Sequence, residues 1–444
     1  MKRILIIGAG LSSSTLIEYL LENSLTYKWE VTVCDMSLEL AERKIKGHPS
    51  GIAEKFDIYD DAVRVEKISK ADIVISMLPA RLHYLVAKTC VQHGKNMVTA
   101  SYVSDFIKEY HEEAKTRGIL LLNEIGVDPG IDHMSAMKVI NRIQNEGGKL
   151  TAFRSYTGGL VAPKYDNNPW NYKFTWNPRN VVLAGQGTAQ HIVNGKYKYI
   201  PYHKLFRRTT RLEVLNYGEF EAYPNRDSLK YREVYGLNDI PTMVRGTLRR
   251  PGYCKTWDVF VQLGVTDDTY TLENSENMTY REFINTFLKF QPDKTVEEKL
   301  ADYVDIDLES TTMYRLRWLG IFQNKRIGLK NATPAQILQQ LLEEKWALEK
   351  DDKDMIVMQH QFEYELNGVK KRITSSMVVE GKDTVHTAMS ITVGLPVAIA
   401  TKLILNGEIN ESGVMIPIEP HIYEPIMKEL EDYGIKFVEE EEVI

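Results

Sequence analysis

The stretch RILIIGAGLSSSTLIEYLL, residues 3 to 21, limits the fold more than any other part of the chain. Residues 3–7 carry the pattern of a short buried strand, as in parallel sheets covered on both faces. Gly8 and Gly10 then permit a tight turn and the close approach of a ligand. Leu16, Leu20 and Leu21 repeat at helical spacing, and Ser12, Ser13 and Ser14 stand where serines cap a helix start. Free amides at such an end attract a pyrophosphate. Gly8, Gly10, Leu11 and Ser12 are therefore expected to face a dinucleotide. The fingerprint is incomplete, because Ser13 stands at its third glycine. GxG alone is also met in plain strand-turn-helix units.

The following residues supply the context. A second strand, EVTVCD, ends at Asp35, where the fingerprint places the acid for the adenosine ribose. Further strand patterns follow in AEKFDIY, ADIVISMLP, KNMVTAS and GILLLNEIG, most of them separated by helical stretches. Such alternation gives a doubly wound parallel sheet, the Rossmann arrangement. Asp35 would accept from both ribose hydroxyls and repel a 2′-phosphate. No arginine follows it, since the next residues are Met36, Ser37 and Leu38. The expected cofactor is therefore NAD, with NADP less favoured. Strand C-termini in such sheets face the ligand crevice. The loops bearing Met77 and Pro79, Ser101 and Tyr102, and Val127 and Asp128 should line one cleft.

With 444 residues the chain is too long for one core, so two or three domains are expected. A net charge of -6 argues against a nucleic-acid binder. No apolar stretch is read as reaching membrane-spanning length. The chain enters a strand almost at once, without a secretion-signal pattern, so a cytoplasmic setting is expected. Cys34, Cys90 and Cys254 are far apart and read as buried free thiols. His83, His93 and His111 lack ligand spacing, and no metal is expected. His133, after PGID, reads as a packing or capping residue.

NEIGVDPGIDH, with VTASYVS, SYTGGLVAP, NPWNYKFTW, YPNRDS, VRGTLR, WLGIF, MIVMQHQFEYE and GLPVAIATKLILNGEINESGV, resembles the glutamate-forming saccharopine dehydrogenases, in order and over essentially the whole length. The resemblance implies a Rossmann domain from residues 1–130 and 394–444. It implies a mixed α/β substrate domain with dimer contacts from 131–270 and 351–393, and an inserted all-helical domain from 271–350. The patterns agree, with strand-like runs in 150–265 and 355–380 and helical ones in 271–350 and from about 394. The closing acidic run reads as a solvated charge cluster. A homodimer is expected.

The implied reaction is oxidation of L-saccharopine with NAD and water to L-glutamate and 2-aminoadipate 6-semialdehyde, in either direction. Hydride leaves the carbon that becomes the aldehyde, and an acid–base group must serve the reacting nitrogen. Asp128 and Tyr102 are the catalytic candidates, and the resemblance adds Ser101 as a substrate contact. Asp128 could instead close an Asx-turn before PGIDH. Arg226 and Arg249 suit carboxylates, since a guanidinium grips one with two parallel hydrogen bonds. Thr247 adds a polar contact; Arg245 and Arg250 lie close by and are ambiguous, with a surface ion pair the plain alternative for either. Met77, Pro79, Ser101, Val127, Asp128 and Trp176 join Gly8, Gly10, Leu11, Ser12 and Asp35 around the cofactor. Many relatives carry cysteine where this chain has Thr157, which forms no thiolate. A polyamine dehydrogenase of the carboxynorspermidine or homospermidine type is the alternative, disfavoured by the two arginines. So is a non-catalytic NAD-binding protein.

Overall fold

The computed structural model describes residues 1–444, which divide into two compact units. The first comprises Met1–Lys149, Glu365–Val369 and Met377–Glu439; the second comprises Leu150–Tyr364, Lys370–Ser376 and Glu440–Ile444. The strands are β1 (Lys2–Ile7), β2 (Trp29–Asp35), β3 (Gly51–Lys55), β4 (Ile73–Ser76), β5 (Asn96–Val98) and β6 (Leu120–Leu122). They continue with β7 (Lys149–Val161), β8 (Thr188–Val193), β9 (Lys196–Pro201), β10 (Thr210–Glu213), β11 (Glu219–Pro224) and β12 (Thr242–Arg249). The last four are β13 (Asp354–Leu366), β14 (Val369–Glu380), β15 (Gly413–Met415) and β16 (Val438–Val443).

The first unit holds a seven-stranded sheet in the order β15-β6-β5-β4-β1-β2-β3, every pair parallel. The order reverses between β1 and β4, the Rossmann switch point. Ile4, Ile6, Val31, Val33, Ile73 and Ile75 are fully buried, as apolar runs with helices on both faces require. The third strand is GIAEK, earlier than the pattern AEKFDIY suggested. Its continuation turns away: Asp57 accepts from the Tyr59 amide at 2.9 Å, and Asp60 caps the helix Asp61–Lys70 through the Val63 amide.

The serines after Gly10 do not cap the first helix. Leu11–Ser13 is a single 3-10 turn, and the helix proper is Ser14–Glu22. Ser13 donates to the Gly10 carbonyl and Ser14 to that of Leu11. The first-turn amide of Thr15 is instead satisfied by the hydroxyl of Ser390, at 3.1 Å. Ser390 lies on the helix Ala388–Leu405, which starts earlier than the sequence pattern placed it because Thr387 caps it through the Ser390 amide. That helix is 18 residues long and apolar enough to cross a membrane, contrary to the sequence reading. It is a core helix of the first unit: most of it is buried, and a Cβ on Gly394 would stand 2.8 Å from the Leu16 nitrogen.

The second unit is built on a mixed nine-stranded sheet running β10-β11-β12-β7-β13-β14-β16, with the β8–β9 hairpin branching from β12. The NPWNYKFTW segment supplies its aromatic core: Trp170, Tyr172 and Phe174 pack with Tyr253 and Trp346 at ring separations of 5.0–6.2 Å. Helices Tyr280–Thr286, Val296–Val304 and Pro334–Trp346 each begin with a reciprocal capping box. The terminal acidic run is solvated, as expected, and forms the edge strand β16, all of it exposed, in which Glu441 meets Lys371 at 2.7 Å and Glu442 meets Arg372 at 3.1 Å. All three cysteines are buried and free.

Candidate active site

In the first unit the glycine turn is forced by crowding. Gly8 has φ +112°, and a Cβ there would stand 2.7 Å from the Met77 carbonyl oxygen. Only glycine meets both conditions without strain. The backbone can therefore run against the end of β4 and leave Gly10 and Leu11 exposed beyond it. Amides at the start of such a turn have no intrahelical acceptor, so the cradle fits a pyrophosphate. Asp35, at the end of β2, pins this turn: Oδ2 accepts from the Ala9 amide at 2.8 Å and Oδ1 from the Ser37 amide at 2.9 Å. Met77 is half-buried at this turn, and Pro79 is exposed two residues on.

β5 and β6 are neighbours, so the loops that follow them meet. The Tyr102 phenol donates to Oδ1 of Asp128 at 3.0 Å, which joins the two catalytic candidates directly. Asp128 belongs to a turn closed by hydrogen bonds from Gly126 N–H to the Pro129 carbonyl and from Ile131 N–H to that of Gly126. Gly130 has φ +145°, and a Cβ there would overlap Gly126. Asp132, not Asp128, takes the Gly130 amide, at 2.6 Å. Val127 is buried, while Asp128 is half-buried.

Glu124 and His83, neither of them a candidate from the sequence, hold these loops. Buried Glu124 accepts from the Val103 amide at 3.0 Å and meets His133 Nε2 at 2.8 Å, while its own amide donates to the Ser101 carbonyl. His133, at the start of its helix, is fully buried against Glu124. His83, first residue of the helix His83–His93, lies 2.8 Å from the Ser76 hydroxyl through Nδ1 and 2.7 Å from the Ser101 hydroxyl through Nε2. Burial lowers its pKa to about 4, so the ring is neutral. Nothing in the spacing of polar residues marked either one; Ser76 and His83 are seven positions apart and look unremarkable in sequence.

In the second unit Thr247 and Arg249 lie two apart on β12 and share one face of the sheet. Arg249 is only 4% exposed. Its guanidinium lies over the rings of Tyr172 and Tyr253 at 5.1 and 5.2 Å, Nη1 donates to the Leu248 carbonyl, and Nε has no partner. A buried cation without a facing carboxylate is a strong anion site. Thr157 is the parallel partner of Thr247 in the sheet, and its own hydroxyl is buried without a partner. Asn225 donates to the Thr247 hydroxyl at 3.0 Å, and the exposed Arg226 follows with φ +46°. Trp176 is half-buried. Arg245 is buried, 4.0 Å from the Tyr231 ring centre, and half-buried Arg250 donates to the Tyr217 carbonyl beside Phe220.

Comparison with known proteins decides the family. Residues 4–122 match the saccharopine dehydrogenase NADP binding domain and residues 126–435 the saccharopine dehydrogenase C-terminal domain. The chain belongs to the saccharopine dehydrogenase family. It is 34% identical to the saccharopine dehydrogenase [NADP(+), L-glutamate-forming] of Schizosaccharomyces pombe over 99% of both chains. The Saccharomyces cerevisiae enzyme of that name is also 34% identical over 98% of both, and its apo structure superposes over the full length of both chains with a TM-score of 0.90. The alpha-aminoadipic semialdehyde synthase of Rattus norvegicus is 33% identical over 98% of this chain but 47% of its own length. A Legionella pneumophila homospermidine synthase, at 11% identity and a TM-score of 0.56, shares the fold.

As a saccharopine dehydrogenase family member the chain is an oxidoreductase, with the expected α/β architecture. The expectation of NAD is overturned, because the matching N-terminal domain is an NADP-binding one and the fungal relatives are named for NADP(+). Each oxygen of Asp35 accepts one backbone amide, so the carboxylate also braces the glycine turn.

Proposed function

We propose that this chain oxidises L-saccharopine with NADP and water to L-glutamate, 2-aminoadipate 6-semialdehyde, NADPH and a proton, and also runs the reverse reaction. The observation that carries the reading is the hydrogen bond between Tyr102 and Asp128 at the C-terminal ends of adjacent Rossmann strands. Those ends are where such sheets present a nucleotide and its reacting partner.

Bound NADP supplies the hydride acceptor. Asp128 as carboxylate takes the proton of the substrate's secondary amine, and the Tyr102 phenol holds Oδ1 and sets the direction of Oδ2. Water then adds to the substrate C=N bond. The same carboxyl returns a proton to the nitrogen that leaves as glutamate, a general acid–base cycle at one atom. Arg249 holds one substrate carboxylate through a bidentate contact, Arg226 a second, and Thr247 adds a hydroxyl. Ser101 contacts the substrate on the nucleotide side, and Gly8, Gly10, Leu11, Ser12, Met77, Pro79, Val127 and Trp176 surround the cofactor. Thr157 stands in for the cysteine of many relatives, and the cycle uses no thiolate. The polyamine reading is weaker, since those substrates offer fewer carboxylates to the two arginines. A homodimer in a cytoplasmic setting completes the proposal.

The test is an absorbance assay of purified protein with L-saccharopine and NADP, or NAD, at alkaline pH. NADP reduction, dependent on saccharopine and faster than NAD reduction at equal concentration, is expected. No turnover with either nucleotide would overturn the reaction, and a clear preference for NAD would overturn the cofactor. Light scattering should give a mass of two chains; one chain's mass would remove the dimer.

A further inference from the structure

Three polar side chains in the first unit form a line whose direction can be worked out. The Ser76 hydroxyl is completely buried, and its one side-chain partner is Nδ1 of His83, at 2.8 Å. A buried hydroxyl hydrogen left unpaired costs more than a spare lone pair. Ser76 therefore donates, and Nδ1 accepts. A neutral imidazole carries one hydrogen, so it sits on Nε2 and donates to the Ser101 hydroxyl oxygen at 2.7 Å. The Ser101 hydrogen is then directed away from the ring. Ser101 is otherwise held through its backbone: its amide donates to Thr99 and its carbonyl accepts from Glu124.

We infer that Ser76 and His83 form a one-way hydrogen-bond relay that leaves the Ser101 hydroxyl hydrogen free to donate to an anionic or carbonyl oxygen of the bound ligand. His83 is on this reading a positioning residue. The arrangement is not a nucleophile with its base. The third member is a neutral hydroxyl, which cannot stabilise an imidazolium as a carboxylate does. Hydrogen bonds in such chains reinforce one another, so loss of the first member is felt at the last. The inference rests on the proposed reaction only in taking Ser101 as a substrate contact.

The experiment has two arms. In nitrogen-15 NMR of the histidine-labelled full chain at pH 7, the His83 signal, assigned by its loss in H83Q, should show an unprotonated Nδ1 and a protonated Nε2. The opposite tautomer, or a doubly protonated ring, would overturn the relay whether or not the protein turns saccharopine over. In the second arm S76A should raise KM for saccharopine about tenfold with little change in kcat, the size of one hydrogen bond to a charged group. In an S101A background S76A should change nothing further. An undiminished S76A effect in that background would also overturn the relay. Wild-type turnover is read separately, so failure of the reaction and failure of the relay are distinct results.

Discussion

The phenolic hydroxyl of Tyr102 donates to Oδ1 of Asp128 at 3.0 Å, so two loops whose residues lie 26 positions apart are tied together. Removing the phenol should leave the carboxylate in place but free to rotate. Y102F is expected to lower kcat about tenfold, and D128N, which cannot take a proton, by roughly 10²- to 10⁴-fold, the range of general acid–base catalysis. Steady-state kinetics with saccharopine decide it; wild-type kcat in D128N would dismiss Asp128 as the proton carrier.

Asp35 fastens the glycine turn through Ala9 and Ser37. Hydrogen bonds from amides to a charged acceptor contribute about 1.5–3 kcal/mol each. D35A should therefore lower Tm and raise KM for NADP and NAD alike. A selective collapse of NAD use, with NADP untouched, would show a ribose-binding role.

Arg249 is the side chain whose loss separates binding from folding. R249M removes a buried charge without a carboxylate partner and fills its place among Tyr172 and Tyr253 with apolar volume. Such replacements are often neutral or stabilising. Tm should hold or rise while KM for saccharopine climbs 100-fold or more, equivalent to about 2.7 kcal/mol. R249K should not restore binding, since an ammonium lacks the planar fork. Near-normal KM in R249M would remove Arg249 from the site.

His83 gives a stability dependence on pH of definite sign. Its folded pKa is depressed from 6.5 to about 4 by burial alone. The unfolded chain thus binds more protons between those values. The contribution is intact above pH 6.5 and is lost as pH falls toward 4, amounting to about 3 kcal/mol in all. Denaturant unfolding of wild type and H83Q at several pH values checks it. Equal slopes in the two proteins between pH 6.5 and 4 would assign the dependence elsewhere.

The parallel sheet was legible because its strands are apolar runs punctuated by glycine, and that signal is local. The family was legible because its motifs are long. Several misreadings share a physical cause: the group concerned has a partner remote in sequence. The Thr15 amide is satisfied by Ser390, from the other end of the chain, so the local serines were credited with a cap they do not form. Asp35 has the spacing of a ribose acceptor, and only the structure shows its oxygens turned onto Ala9 and Ser37. The acidic end is solvated as it reads, but its strand pairing shows only once Lys371 and Arg372 are seen opposite it. Ser76 and His83 escaped notice because a buried relay leaves no periodicity.

The sheet begun by β1 is finished by β15, and the helix Ser14–Glu22 rests on the helix Ala388–Leu405. A ribosome therefore delivers the first six strands long before the pieces that cover them. Until residue 415 emerges, the outer edge of β6 and one flank of the leading helix stay open, a state prone to edge pairing with other chains. The nucleotide turn at Gly8 and Gly10 therefore waits for a helix that begins only at Ala388 before its own helix is covered.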